Sequence, residues 1–67
     1  MNERTVQDVF NEMTAEQKDR LYLLIGITLT EGSFKARQRM AALAIDFFSS
    51  EQSRVVDYLI GEAEKRS

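Results

Sequence analysis

The chain has 67 residues, enough for one small domain, with eleven acidic residues against nine lysines and arginines and a pI near 5.0. Hydrophobic residues make up 43% of the sequence and charged residues 30%, which is the balance of a folded domain and not of a disordered chain. Cysteine and histidine are both absent, which excludes disulfides and thiolate metal sites and removes the most common zinc ligand and general base. We therefore expect a protein that is not an enzyme and that has no metal or cofactor.

The sequence gives no sign of export or membrane insertion. Residues 1–4 lack the pattern of a secretory signal. The longest uncharged run, residues 21–30, has about half of the roughly 20 apolar residues that a membrane-spanning helix needs. We therefore expect a cytoplasmic protein without a membrane partner. Its weak negative charge also disfavours a general affinity for nucleic acid.

Four start signals divide the chain into four predicted helices. Proline is absent, so no strong helix breaker interrupts them. Thr5 is suited to cap the first helix, and Asp8 in its first turn favours the helix dipole. The apolar stripe of this helix, at i, i+3, i+4 and i+7, consists of Val6, Val9, Phe10 and Met13.

The second helix begins with a predicted capping box, in which Thr14 and Gln17 exchange hydrogen bonds. Its apolar stripe is Leu21, Leu24, Ile25 and Thr28. Three more apolar side chains spread around the remaining surface: Tyr22, Leu23 and Ile27. A helix that is apolar on nearly all sides needs cover on all sides.

Gly32 is suited to a left-handed helix end and Ser33 to the cap of a third helix. This helix is predicted to continue to Phe48. Its apolar side is Phe34, Ala41, Ala44, Ile45 and Phe48, flanked by Ala36, Met40, Leu43 and Phe47. Ser49 and Gln52 repeat the capping box and begin a fourth helix. The apolar residues of that helix are Val55, Val56, Leu59, Ile60 and Ala63.

The sequence also contains a weak internal repeat. An offset of 35 residues places Gln17 on Gln52 and residues 24–26 on residues 59–61, two apolar residues followed by glycine in both cases. Two explanations stay open: two helix–cap–helix units packed about a pseudo-twofold axis, or the general likeness of capped amphipathic helices. In either case the predicted fold class is all-α, a small bundle of four short helices in a single domain over residues 1–67.

Association is the remaining way for this chain to bury more apolar surface. A domain of this size has a thin margin of stability, and neither disulfides nor metals can add to it. We expect a homo-oligomer, most simply a twofold dimer, with part of the second helix at the interface. The interface candidates are Tyr22, Leu23 and Ile27. Phe47 is a weaker candidate, because ordinary core packing explains it better.

A second class of function is suggested by Lys35, Arg37 and Arg39. They cluster near the start of the third helix, after a glycine-containing turn, as in a DNA-reading helix-turn-helix. The three side chains point in different directions, however, and three cations on an acidic chain provide few phosphate contacts. A regulator or inhibitor that binds DNA or a host protein through these residues is therefore the alternative. A solvated face of mixed charge is the simpler interpretation.

Residues 5–18, followed by residues 21–26, resemble a helical segment near the C-terminal end of prohead proteases and scaffold-like proteins of tailed bacteriophages. The resemblance lies in the order F-x-x-M-T-x-E-Q-K from Phe10, followed by L-Y-x-L-I-G from Leu21. Residues 50–63 echo the pattern a second time. The resemblance implies a phage or prophage protein of the host cytoplasm, a helical module that associates with itself or contacts capsid proteins in head assembly. No protease domain accompanies the segment, so the resemblance transfers no catalytic residue.

Overall fold

The computed structural model describes residues 4–66, so residues 1–3 and 67, the ends of the predicted domain, lie outside the described part. It contains four helices: α1 (Val6–Glu12), α2 (Ala15–Glu31), α3 (Ser33–Ala41) and α4 (Ser50–Glu64). Residues 4–66 include no β-strand. The predicted all-α bundle of four short helices is confirmed.

Three of the four helices begin directly after a predicted capping residue. In each case the hydroxyl of the capping residue accepts from the backbone N–H three residues further on, and the side chain at that position accepts from the N–H of the capping residue. The pairs are Thr5–Asp8, Thr14–Gln17 and Ser49–Gln52. Asp8 thus adds a reciprocal hydrogen bond of 3.1 Å to its favourable position in the helix dipole.

The two long helices, α2 and α4, form a central layer and run in the same direction. Gln17 in the first turn of α2 is hydrogen-bonded to Gln52 in the first turn of α4. Near the other end of the layer, Leu29 of α2 and Ala63 of α4 line one groove. The beginnings of the two helices are therefore close together, and so are their ends, which is the arrangement of a parallel pair.

The two short helices cover opposite sides of this layer. α3 packs against α2 and α4 and runs antiparallel to α4, because Ser33 at its start contacts the end of α4 and Arg37 pairs with Asp57 further back. α1 lies across the first half of α4, where Arg4 pairs with Glu51 at 3.1 Å. The C-terminal half of the layer on the α1 side is left without a covering helix.

Gly32 alone connects α2 to α3. Its φ of 103° and ψ of 161° lie in a region that is open essentially only to glycine. The φ is positive, as in the predicted left-handed helix end, but ψ is far from the left-handed helical value of about 47°. Gly32 is also the N-cap of α3, which has no side-chain cap. The prediction of Ser33 as the cap is therefore wrong. Ser33 is the first residue of α3, and its hydroxyl donates to the Glu64 carboxylate at the end of α4.

α3 ends at Ala41, so the predicted continuation of this helix to Phe48 is wrong. Residues 42–48 form turns and bends. The exposed members of the predicted apolar side are Phe34, Ala41, Ala44 and Ile45. The reason lies in the tertiary structure, because the chain must turn to reach Ser49 at the start of α4. Phe48, at the end of these turns, lies in the core.

The structure favours a pseudo-twofold axis as the explanation of the repeat. Gln17 and Gln52, 35 residues apart, exchange side-chain hydrogen bonds: Nε2 of Gln17 donates to Oε1 of Gln52 at 3.0 Å, and the reverse bond measures 3.3 Å. Equivalent residues pair reciprocally in this way across a twofold axis. Met13 and Phe48, related by the same offset, are both buried. The symmetry breaks at residues 42–47, which are turns where the offset predicts a counterpart of α1.

Candidate interaction surfaces

The candidate sites in the described part of the chain are surfaces on its helices. Among residues 4–66, no group of three or more acidic, histidine or cysteine residues is arranged to hold a metal ion. None of the helices in that range is long and apolar enough to cross a membrane. The candidate sites are therefore an apolar face of α2, two grooves beside α4 and the cations of α3.

One side of α2, which we call the α2 outer face, is directed away from the core and consists of Tyr22, Leu23, Gly26 and Thr30. Tyr22 is 59% exposed and Leu23 is 45% exposed, as predicted for interface candidates. Gly26 lies one turn beyond both, so at about 100° per residue its position on the surface falls between theirs. The Thr30 hydroxyl donates to the Gly26 carbonyl at 2.9 Å, so this polar group is satisfied within the chain.

The structure of the single chain gives no reason for a glycine at position 26. A Cβ at this position would meet no atom within 4 Å, and its φ is not positive. Glycine inside a helix costs about 0.5–1 kcal/mol relative to alanine, whereas it allows another backbone to approach closely. Sequence analysis did not single out Gly26. Its position between two apolar residues on one face of the helix is the feature of the sequence that could have identified it.

Of the four predicted interface residues, one belongs to the core and one packs against it. Ile27 is 7% exposed and is part of the core cluster, because α3 packs against α2. The expectation that Ile27 stays uncovered is therefore wrong. Phe47 is half-buried and packs against the same core. Its ring contacts that of Phe48 edge to face, with 4.9 Å between the centroids. These contacts favour the core interpretation of Phe47.

An open groove, which we call the α2–α4 groove, follows the uncovered half of the central layer. It is lined by Ile25, Leu29, Leu59, Glu62, Ala63 and Arg66. Leu29 is 48% exposed, whereas Ile25 and Leu59 are half-buried on the edge of the core. Sequence analysis assigned Ile25 and Leu59 to core stripes and overlooked Leu29. The spacing of Tyr22, Ile25 and Leu29, at i, i+3 and i+7, would have predicted an apolar edge here.

Aromatic and charged side chains mark the two ends of the α2–α4 groove. Toward α1, the Phe10 and Tyr22 rings meet edge to face at 6.0 Å, and Lys18 Nζ lies 5.0 Å from the centre of the Phe10 ring. At the other end, Lys65 donates to Glu62 at 3.0 Å. This hydrogen bond raises the pKa of Lys65 above its ordinary value. The glutamate on the groove edge is therefore already paired with a cation.

A second groove lies between α1 and α4, and two of its charged residues, Arg4 and Glu51, are paired with each other. Its lining is Arg4, Val6, Val9, Glu51, Arg54, Val55 and Tyr58. Arg4 donates to Glu12 and also pairs with Glu51. The hydrogen bond to Glu12 raises the pKa of Arg4 above its ordinary value. These contacts fix α1 on α4, and the groove offers no unpaired partner for an anionic ligand at Arg4.

The three cations proposed as nucleic-acid contacts do not form one surface. Arg37 Nε donates to the Asp57 carboxylate at 2.9 Å, on the side of α3 that faces α4. Lys35 and Arg39, one turn apart, lie on the other flank of the line marked by buried Ala36. This arrangement favours the interpretation as a solvated face of mixed charge.

No protein-family model matches the chain, and no curated protein or solved structure is significantly similar to it. The geometry of these surfaces is therefore the basis of the functional assignment.

Proposed function

We propose that this protein is a non-enzymatic helical interaction module that associates with a second copy of itself through the α2 outer face. The observation that carries the proposal is Gly26, which lies within the longest helix with open space above it and exposed Tyr22 and Leu23 on either side. Such a surface allows a second α2 to approach closely at the glycine while the two larger side chains fill the flanks. A twofold dimer is the simplest product, because the same patch then serves both chains.

The size of the molecule is compatible with this contact. A standard interface buries roughly 800 Å² on each partner, about a sixth of the 4826 Å² that this chain exposes. α2 has 17 residues and provides a contact of corresponding length. Burial of the exposed parts of Tyr22 and Leu23 contributes on the order of 1 kcal/mol for each side chain.

The biological setting that we propose is head assembly of a tailed phage or prophage, in which the module contacts itself or a capsid component. This part of the proposal is supported by the resemblance of residues 5–26 to phage head proteins. The second copy of the pattern, in residues 50–63, supports it as well. Partner and setting follow from the resemblance, whereas self-association follows from the surface of α2.

Sedimentation velocity over a wide range of protein concentration tests self-association. The parent chain is expected to sediment as a dimer at high concentration. Leu23→Glu should shift the chain to monomer with its helicity retained, because Leu23 is already 45% exposed. Ile45→Glu is the matched control, since it makes the same charge change at an exposed turn residue and should leave the dimer intact. A parent chain that is monomeric at every concentration, or two variants that dissociate equally, would contradict the proposal.

A further inference from the structure

The pseudo-twofold relation gives the α2–α4 groove a counterpart within the same chain. α3 covers the C-terminal half of the central layer on one side, where α2 contributes buried Leu24, Ile27 and Thr28. The 35-residue offset places these three positions on residues 59, 62 and 63. Those residues line the α2–α4 groove on the other side of the layer.

The 35-residue offset also relates the other three residues that line the α2–α4 groove to residues near α3. The offset relates Ile60, Glu64 and Glu31, near the ends of the helices on which α3 packs, to residues 25, 29 and 66. All three of these residues line the groove. The groove is therefore the pseudo-twofold equivalent of the surface that α3 covers, with no helix of residues 4–66 lying on it.

We propose that the α2–α4 groove is the docking site for one short amphipathic helix of a partner protein, running antiparallel to α4. α3 shows which helix fits such a surface. It buries Ser33 and Ala36 and half-buries Met40, so its inner face has small residues where it crosses the layer. The partner helix has alanine or serine at the same positions. This inference goes beyond self-association, and the residues that line the groove are not those of the α2 outer face.

Charge distinguishes the partner helix from α3. Arg37 of α3 pairs with Asp57, whose counterpart beside the groove is Tyr22. An apolar residue therefore replaces the arginine in the partner. Glu31, at the end of α2, has Arg66 as its counterpart in the groove. Because Arg66 adds a positive charge to this end of the groove, we place an acidic residue in the first turn of the partner helix, where a negative charge also suits the helix dipole.

The partner is a different protein and not a second copy of this chain. Each of the four helices buries part of its surface within its own chain: Val9 in α1, Leu24 in α2, Ala36 in α3 and Val56 in α4. A second copy could present the small-residue face of α3 to the groove only by unpacking α3, because Ser33 and Ala36 are buried within its own chain. The groove therefore accepts a helix that is unpacked before it binds.

The test attaches such a helix to the chain itself. By the offset, residue 67 corresponds to Gly32, so the extended chain carries Ser67→Gly followed by E-F-K-A-L-Q-R-M-A. This segment is α3 with glutamate for Ser33 and leucine for Arg37. Covalent linkage gives the segment a high effective concentration, which compensates for the poor stability of short isolated helices.

The expected result is a melting temperature several degrees above that of the unextended chain, with nuclear Overhauser contacts between the added alanines and the methyl groups of Leu59 and Ala63. Leu29→Glu should abolish both effects. Ile45→Glu, which makes the same charge change at an exposed turn residue outside both surfaces, should leave both unchanged. A second extension, in which arginine replaces the added alanine that corresponds to Ala36, should give neither effect.

Three results would overturn the proposal. The first is an extension that stabilises the chain no more than its arginine version does. The second is a stabilised chain without contacts to Leu59 and Ala63. The third is protection of the groove methyl groups in the unextended chain as its concentration rises, since a second copy would then occupy the groove. Self-association is read separately from Leu23→Glu in sedimentation, so failure of either proposal is recognised independently of the other.

Discussion

Replacing Gly26 by alanine separates the stability of the single chain from its self-association, because the two effects have opposite signs. In the single chain the added methyl group meets no atom within 4 Å. Alanine should therefore stabilise α2 by about 0.5–1 kcal/mol, which raises the melting temperature of a domain of this size by roughly 2–8 °C. In the dimer the same methyl group enters the contact between two helices. Overpacking of that kind costs about 1–3 kcal/mol, a rise of about five- to 150-fold in the dissociation constant of the dimer.

The two quantities are measured in separate experiments on the same variant. Thermal unfolding followed by circular dichroism in dilute solution reports on the monomer, and sedimentation over a concentration series gives the dissociation constant. A higher melting temperature with an unchanged dissociation constant would refute the close approach at Gly26. A lower melting temperature would show that the space above Gly26 is already filled within one chain.

Three other perturbations test the fold and the alternative function. Gly32→Ala should lower the free energy of unfolding by about 1–3 kcal/mol in urea denaturation, because alanine avoids the backbone conformation found there; an unchanged midpoint would contradict this. Gln17→Leu and Gln52→Leu should each cost about 1–3 kcal/mol, but the double variant should cost less than their sum, by about 0.5–3 kcal/mol. Strictly additive costs would argue against the reciprocal pair. The parent chain should show no binding to duplex DNA by fluorescence anisotropy at physiological salt, and Lys35→Glu combined with Arg39→Glu should leave self-association unchanged. Binding that falls steeply with salt would instead favour the DNA-binding alternative.

The helix starts were predictable because their determinants are local. A capping box needs only a hydroxyl residue and an acceptor side chain three residues later, and Thr14–Gln17 and Ser49–Gln52 meet that requirement within four residues. The same locality explains why the positive φ of Gly32 was predictable. The identity of the cap of α3 was not predictable, because Ser33 is held by Glu64, a residue 31 positions away.

The errors in the sequence analysis have a common physical origin, which is contact between distant segments. Nothing in residues 42–48 breaks a helix locally, yet the chain turns there because it must reach the start of α4. Ile27 was expected to be uncovered because the periodicity of α2 alone does not show that α3 packs on this side of the helix. The spacing of Tyr22, Ile25 and Leu29 indicates an apolar edge on α2, but the groove beside it was not predictable, since it depends on α1 covering only half of the layer.

The glutamine pair between α2 and α4 has a consequence for how the chain loses its structure. Each amide group completes the capping box of its own helix and bonds that of the other, and Gln17 also donates to the Phe47 carbonyl at 2.8 Å. Fraying of either first turn therefore leaves polar groups of the opposite helix without partners. Although the sequence contains two similar units, the loss of either one should therefore destabilise the other, and we expect the domain to unfold in a single cooperative transition.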